Sequence, residues 1–420
     1  MKLKIQLLLV ISISLLVGYF FGVNKVKYEW KNYQPKLSII NQQPPASLQN
    51  INLSSFWDVW QKVNVMYYDK KALDSQKMFN GAIQGMVASL GDPYTVYLPP
   101  VQNNSFQQQL AGKFEGIGAE LGLKDNRIIV VAPLDGSPAQ KAGIRAGDTI
   151  VKVNDTFTDG WTLQQAVEKI RGPKGTQIAL SILHKGDKEL SKIVITRDTI
   201  TVKSVTGWVK KIQDIDEVSD TLKKDHPDAK VLYIRLSQFG DKTNQDWAAL
   251  LEQLYTQAEQ RGNNLSGLVF DLRNNPGGYL EDAVFVASEF LKEGTPVVIQ
   301  DNGSGDKKTL SVDRKGNVPD LPVVVLINGG SASASEIVAG ALRDYNRAKL
   351  VGETSFGKGT IQQSVDLGQG AGLHVTIAKW LTPKETWVHQ KGLTPDVKVS
   401  LDQKDPSHDA QLEAAIKTLL

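Results

Sequence analysis

Between residues 201 and 400 strand-length apolar runs alternate with helical stretches, and this alternation constrains the fold more than any other feature of the chain. Val231–Leu236 is followed by the helical stretch Asp246–Arg261, Gly267–Leu272 by Tyr279–Leu291, and Val323–Ile327 by Ser335–Tyr345. Parallel strands need a crossover long enough to be a helix, so the pattern predicts a largely parallel sheet covered by helices. In such sheets the loops at the C-terminal strand ends carry the chemistry.

The preceding segments read differently. Over 110–200 the runs are short and β-like (Ile128–Val131, Thr149–Val153, Ile178–Leu183, Ile193–Ile195), with brief helical stretches near Ser137–Ala142 and Leu163–Ile170. They predict a compact α+β module. Over 51–109 apolar residues fall at helical spacing (Phe56, Val59, Trp60, Val63; then Met78, Ile83, Met86, Val87) until Gly91-Asp92-Pro93 ends the second helix. Residues 24–50, with Gln42-Gln43-Pro44-Pro45, read as a tether, and 401–420 as a helical tail. At the N-terminus Lys2 and Lys4 precede a nearly unbroken apolar run of 19 residues, Ile5–Val23. As a helix it would cross roughly 28 Å of hydrocarbon. Its exit lacks a small-x-small site, which favours an uncleaved signal anchor over 1–23 rather than a cleaved signal or a buried helix. The body is then expected outside the cytoplasm, although Lys25, Lys27 and Lys31 weaken the charge argument for that orientation.

Composition excludes several classes. Hydrophobic residues at 41% and charged residues at 22% rule out wholesale disorder. A net charge of +3 gives no footprint for nucleic acid. With no cysteine in the chain, disulfides, thiolate metal sites and a cysteine nucleophile are ruled out.

Asn328-Gly329-Gly330-Ser331-Ala332-Ser333-Ala334-Ser335-Glu336 follows a buried strand and opens a helix. Its small residues and unpaired helix-start amides suit a serine attacking a carbonyl while N–H groups receive the oxyanion. Helix capping by Ser335 and Glu336 is an equally good account of this segment alone. The histidines (184, 226, 374, 389, 408) form no triad signature, and no Gly-x-Ser-x-Gly elbow is present. A lysine is the other solution, and it must be buried enough to be neutral. Lys358 in Gly357-Lys358-Gly359 is the best candidate, with Gln362 on the same face four positions on. On spacing alone, an exposed loop lysine and a solvated strand glutamine explain these two residues better. A phosphate-loop reading of Gly352–Lys358 fails at Gly359, where Ser or Thr would be required. Asp271–Gly278 ends another buried strand with a glycine pair suited either to a second oxyanion donor or to a plain turn. Phe114-Glu115-Gly116-Ile117-Gly118-Ala119 is a loop able to present amides to a terminal carboxylate, or a simple β-turn.

Taken together, in order, these segments resemble the carboxy-terminal processing peptidases (tail-specific proteases) of the serine–lysine type. The resemblance runs from about Phe56 to Val399 and includes Gly91–Thr95, Ser137-Pro138-Ala139, Ala142-Gly143-Ile144, Ala146-Gly147-Asp148, Asp271–Gly278, Ser331–Glu336, Gly357–Gly359 and Gly392–Asp396. It implies a multidomain α/β and α+β protein: a membrane helix, a helical region, a PDZ-like module over 110–200 and a crotonase-like protease core over 201–400. Ser333 matches the nucleophile, Lys358 the base and Gln362 the residue that positions it. Ala334 and one of Gly277 and Gly278 match the oxyanion donors. Gly116, Ile117 and Gly118 match the loop for the substrate's C-terminus. The implied partners are flexible protein tails and the membrane, with no metal, nucleotide or other cofactor; a homodimer and an activating partner stay open. The rival readings are a catalytically silent PDZ scaffold that tethers tails, and a Ser–His–Asp protease.

Overall fold

The computed structural model describes residues 6, 12–15, 26–31, 34–39, 52–124, 127–134, 136–145, 147–161, 163–184, 187, 189–201, 203–260, 265–318, 320–400 and 407–420. The expected anchor over 1–23 lies almost wholly outside them, and among the described residues no helix is long and apolar enough to cross a membrane. The chain divides into two compact units, residues 1–79 and 80–420.

In the first unit the tether is not irregular. Val26–Lys31 and Gln34–Ile39 pair antiparallel, with Tyr28 opposite Leu37. The alternation Val-Lys-Tyr-Glu-Trp-Lys is a strand pattern that the nearby proline pair obscures. The helix Ser54–Met66 follows.

In the second unit the alternating region forms a six-stranded sheet. Its order is Val205–Lys211, Lys230–Leu236, Leu265–Asp271, Val323–Ile327, Ala348–Gly352, Val397–Lys398. The first pair is antiparallel and the rest are parallel. Val323–Ile327 is buried at every position, as a central parallel strand must be. Against one face pack the helices Thr243–Gln260, Leu280–Ser288 and Ala334–Asp344, around Trp247, Phe270 and Phe290. The other face is closed by the C-terminal helix Ala410–Leu419 through Leu412, Ala415 and Ile416. Burial of a leucine or isoleucine side chain such as Leu412 or Ile416 contributes ~2 kcal/mol.

A second, antiparallel sheet orders Lys307–Ser311, Pro296–Asp301, Ala371–Leu381 and Thr360–Gly368, and Val96–Leu98 pairs with Ala371–Leu381. The α+β module has its own core of Ile117, Ile128, Val130, Ile150, Leu180 and Ile182. Alternation in Gln177–Leu183 buries Ile178, Leu180 and Ile182, so the period-two reading holds there. Lys113–Gly116 and Asp198–Thr201, at the two ends of this module, pair with each other.

Candidate active site

Ser333 occupies the turn between the strand Val323–Ile327 and the helix Ala334–Asp344, with φ 54° and ψ −114°. A side chain held at positive φ is strained and persists only where its surroundings enforce it. The neighbouring serines do so. Ser331 Oγ donates to the Leu272 carbonyl at 2.8 Å, and Ser335 Oγ donates to the Asn275 carbonyl at 2.9 Å. The Ala332 N–H also reaches the Asn275 carbonyl, at 3.0 Å. Thus Ser331 and Ser335, both fully buried, stitch this turn to the 271–278 loop, while Ser333 lines a cavity. That division of labour explains three serines where capping alone accounts for one.

The 271–278 loop is fastened from behind. Arg273 donates to Asp271 at 2.6 Å, to Asp409 at 2.9 Å and to Gln411 at 3.1 Å, while the Tyr233 hydroxyl donates to Asp271 at 2.7 Å. At the loop's end Gly277 (φ 95°) lies so close to the serine turn that a Cβ would fall 2.8 Å from Ser333 Cβ and 2.9 Å from the Ala334 nitrogen. The Gly277 N–H donates to Asn275 Oδ1 at 2.9 Å. Gly278 bridges to Phe239 through its neighbours: Phe239 N–H donates to the Gly277 carbonyl, and Tyr279 N–H to the Phe239 carbonyl.

Lys358 reaches the same cavity from the other side. Burial lowers its pKa, opposed by the charges of Asp92 and Glu336. A neutral amine in that position can accept a proton. Its carbonyl receives the Trp380 Nε1–H at 2.8 Å. Gln362 Nε2 donates to Thr360 Oγ1 at 2.9 Å and Thr376 Oγ1 at 3.1 Å.

Glu336, missed as a site residue by the sequence reading, joins the two halves. Fully buried, it accepts the Ser333 N–H at 2.9 Å, the Ser355 hydroxyl at 2.6 Å, the Gly357 N–H at 2.7 Å and the Lys358 N–H at 2.9 Å. The one sequence signal for it is the Ser-x-x-Glu spacing of a capping box counted from Ser333 rather than Ser335.

Ser333, Ala334, Gly277, Gly278, Lys358 and Gln362 therefore line one cavity of about 670 Å³. Of the five histidines only His374 lines it, where its ring meets Phe106 edge-on at 4.5 Å. Burial, and then the charge of Lys358, lower its pKa. Gly116, Ile117 and Gly118 belong to the α+β module and are not among the cavity's lining residues. Ile117 is in that module's core, with its carbonyl accepting the Ala139 N–H at 2.8 Å. Gly118, at φ 74°, has no room for a side chain, since a Cβ would sit 2.5 Å from Ser137.

The family model described as Peptidase family S41 matches residues 230–399, the PDZ domain model residues 107–183, and the model of the activating protease CtpB N-terminal domain residues 15–100. The carboxy-terminal processing protease CtpB of Bacillus subtilis (strain 168) is 34% identical over 405 residues, covering 95% of this chain and 78% of that protein. The carboxy-terminal-processing protease of Bartonella bacilliformis is 38% identical over 364 residues, covering 86% of this chain and 78% of that one. Among solved structures, the photosystem II D1 C-terminal processing protease matches with a TM-score of 0.50 at 30% identity, over 87% of this chain and 96% of that one. Fold and comparisons together define a serine peptidase that carries a PDZ domain. The chain belongs to peptidase family S41, among its carboxy-terminal processing proteases.

Proposed function

We propose that Ser333 is the nucleophile and Lys358 the general base with which this protease cuts polypeptides near their C-termini. The observation that carries the assignment is the shared anchor: Ser333, on a strained turn, and Lys358, a half-buried amine, face one cavity and hang from the same Glu336 carboxylate. Neutral Lys358 takes the Ser333 proton as Oγ attacks the scissile carbonyl carbon. The carbonyl electrons move onto oxygen, which the Ala334 N–H and a glycine N–H receive. Gly277's N–H is already given to Asn275, so Gly278 is the better second donor. Collapse breaks the C–N bond as the Lys358 ammonium protonates the leaving amine. Water then repeats the sequence, freeing the new carboxyl end and restoring Ser333. With its amide nitrogen held by two threonine hydroxyls, Gln362 is left to orient the amine through its oxygen.

In the same reading the Gly116–Ile117–Gly118 loop takes the substrate's terminal carboxylate. Residues 1–23 anchor the protein, with the catalytic body outside the cytoplasm. The helical region over 51–109 serves association with a second copy, and an external partner sets the activity. The domain limits are those expected from the sequence, with a hairpin inside 24–50.

The test uses the full-length chain and an unfolded protein ending in apolar residues, with fragments followed by mass spectrometry. Cleavage by the native protein, absent in Ser333→Ala and Lys358→Ala, supports the assignment; equal cleavage by all three refutes it. Membrane fractionation with external protease digestion tests the anchor and its orientation.

A further inference from the structure

Lys358 Nζ stands 5.2 Å from the centroid of the Tyr94 ring. That ring is itself held. His389 meets it at 6.1 Å and 67°, and His389 stacks on Trp387 at 5.0 Å and 16°. Trp387 Nε1 donates to the Gly359 carbonyl at 2.9 Å, so the stack is fastened to the residue that follows Lys358. The fit is close: a Cβ on Gly359 would lie 2.7 Å from Trp387 Nε1 and 2.8 Å from His389 Cβ. On its other side the Tyr94 N–H donates to Asp92 Oδ1 at 3.0 Å, and Thr95 Oγ1 donates to Asp92 Oδ2 at 2.6 Å. Thr95 Oγ1 in turn accepts the Thr376 N–H at 3.0 Å, tying this segment to a strand that lines the cavity. Tyr94 lies outside the residues matched by the peptidase model, 230–399, and inside those matched by the N-terminal model, 15–100.

We propose that Tyr94 is a positioning residue of the hydrolysis: its ring face carries the side chain of Lys358 beside the cavity, and the His389–Trp387 stack holds that ring in place. The inference rests on Lys358 being the base. A cation is attracted to an aromatic face, most strongly where water is excluded. The ring therefore favours the ammonium that forms when Lys358 takes the serine proton, and offsets part of the burial that keeps the resting amine neutral. The charged and titratable groups around this amine are Asp92 from the same segment, Glu336 from the helix, His374 across the cavity and His389 behind the ring. The peptidase core thus takes part of its base environment from the N-terminal segment.

The experiment compares full-length native protein with Tyr94→Phe and Tyr94→Leu by two readouts. One is the pH profile of kcat; the other is the pH dependence of Lys358 carbamoylation by cyanate, read by mass spectrometry in a Ser333→Ala background. Tyr94→Phe keeps the ring and is expected to keep both midpoints. Tyr94→Leu is expected to move both to lower pH by about half to one unit and to lower kcat about tenfold with little change in KM. An unmoved labelling midpoint in Tyr94→Leu, or an equal shift in Tyr94→Phe, overturns the proposal. If labelling moves and the activity profile does not, the contact stands and Lys358 as base is what falls. Should Tyr94→Leu fail to fold, Trp387→Leu loosens the ring from behind; the same downward shift supports the proposal, and no shift overturns it.

Discussion

Glu336 Oε2 accepts the backbone N–H of Lys358 at 2.9 Å, binding the start of one helix to a loop 22 residues further along the chain. The same oxygen accepts the Ser333 N–H, so one atom sets the spacing of the proposed nucleophile and base.

Glu336→Gln replaces part of that acceptor with an amide N–H that cannot receive these donors. The amide nitrogen then faces two of the four donors, at least one of them an N–H group that loses its partner, at about 1–3 kcal/mol each. The expected result is a stability loss of ~2–4 kcal/mol in a denaturant melt. A fall in kcat of about a hundredfold or more is also expected, since displacements of this kind misplace reacting groups.

Lys358 titrates below its ordinary 10.5 because it is buried. As the active form is neutral, kcat is expected to rise with pH through the lowered value and then level off. The stability sign is fixed too. The unfolded chain binds the proton more tightly, so the lysine destabilises the fold below pH 10.5, and fully so once pH is under the folded value. Lys358→Met should therefore raise Tm at pH 7, with a gain that shrinks as the pH approaches 10.5. A Tm difference independent of pH would contradict this.

Gly277→Ala places a methyl group 2.7 Å from the Ala332 carbonyl and 2.8 Å from Ser333 Cβ, on a backbone already at φ 95°. Ser333 must shift, and kcat is expected to fall about a hundredfold or more. Gly294→Ala, also at positive φ but facing open space, is the control. It should lose about 1 kcal/mol of stability and keep its activity.

Acid should weaken the attachments of the C-terminal helix. Burial raises the Glu413 pKa, but hydrogen bonds from Lys417 and Ser219 outweigh it and bring the pKa down to about 2. At Asp409 burial again raises the pKa, and the hydrogen bond and charge of Arg273 outweigh it, so the net shift is downward. Both carboxylates contribute stability that is fully present above their ordinary values and lost as pH falls through the folded ones. Tm should drop between pH 4.5 and about 2, and Glu413→Gln should flatten part of that slope. At neutral pH Asp409→Asn removes one of the two carboxylates that hold Arg273 and leaves its pair with Asp271, at about 1–2 kcal/mol.

How much of this is legible in sequence follows from the range of the contacts. Val323–Ile327 announces itself because a central parallel strand is apolar at every position. Ser333 and Lys358 stand at glycine-rich strand ends, and the order of the surrounding motifs singles them out; taken alone, Lys358 reads as an exposed loop residue. Tyr94 and the link from Glu336 to Lys358 escape because the partners are remote in the chain, and the Ser-x-x-Glu spacing marks only the contact of Glu336 with Ser333. The hairpin Val26–Lys31 and Gln34–Ile39 escapes for the opposite reason, a local strand alternation overshadowed by prolines further on.

The chain passes into the PDZ domain along Lys113–Gly116 and out of it along Asp198–Thr201, and these two strands pair with each other. The domain thus hangs from the rest of the protein as a cassette on one ribbon. Trading it for another reader of protein ends, or splicing it out across the ribbon, would leave the order of the catalytic sheet untouched. Which protein tail is bound and how it is cut can therefore change independently over evolution.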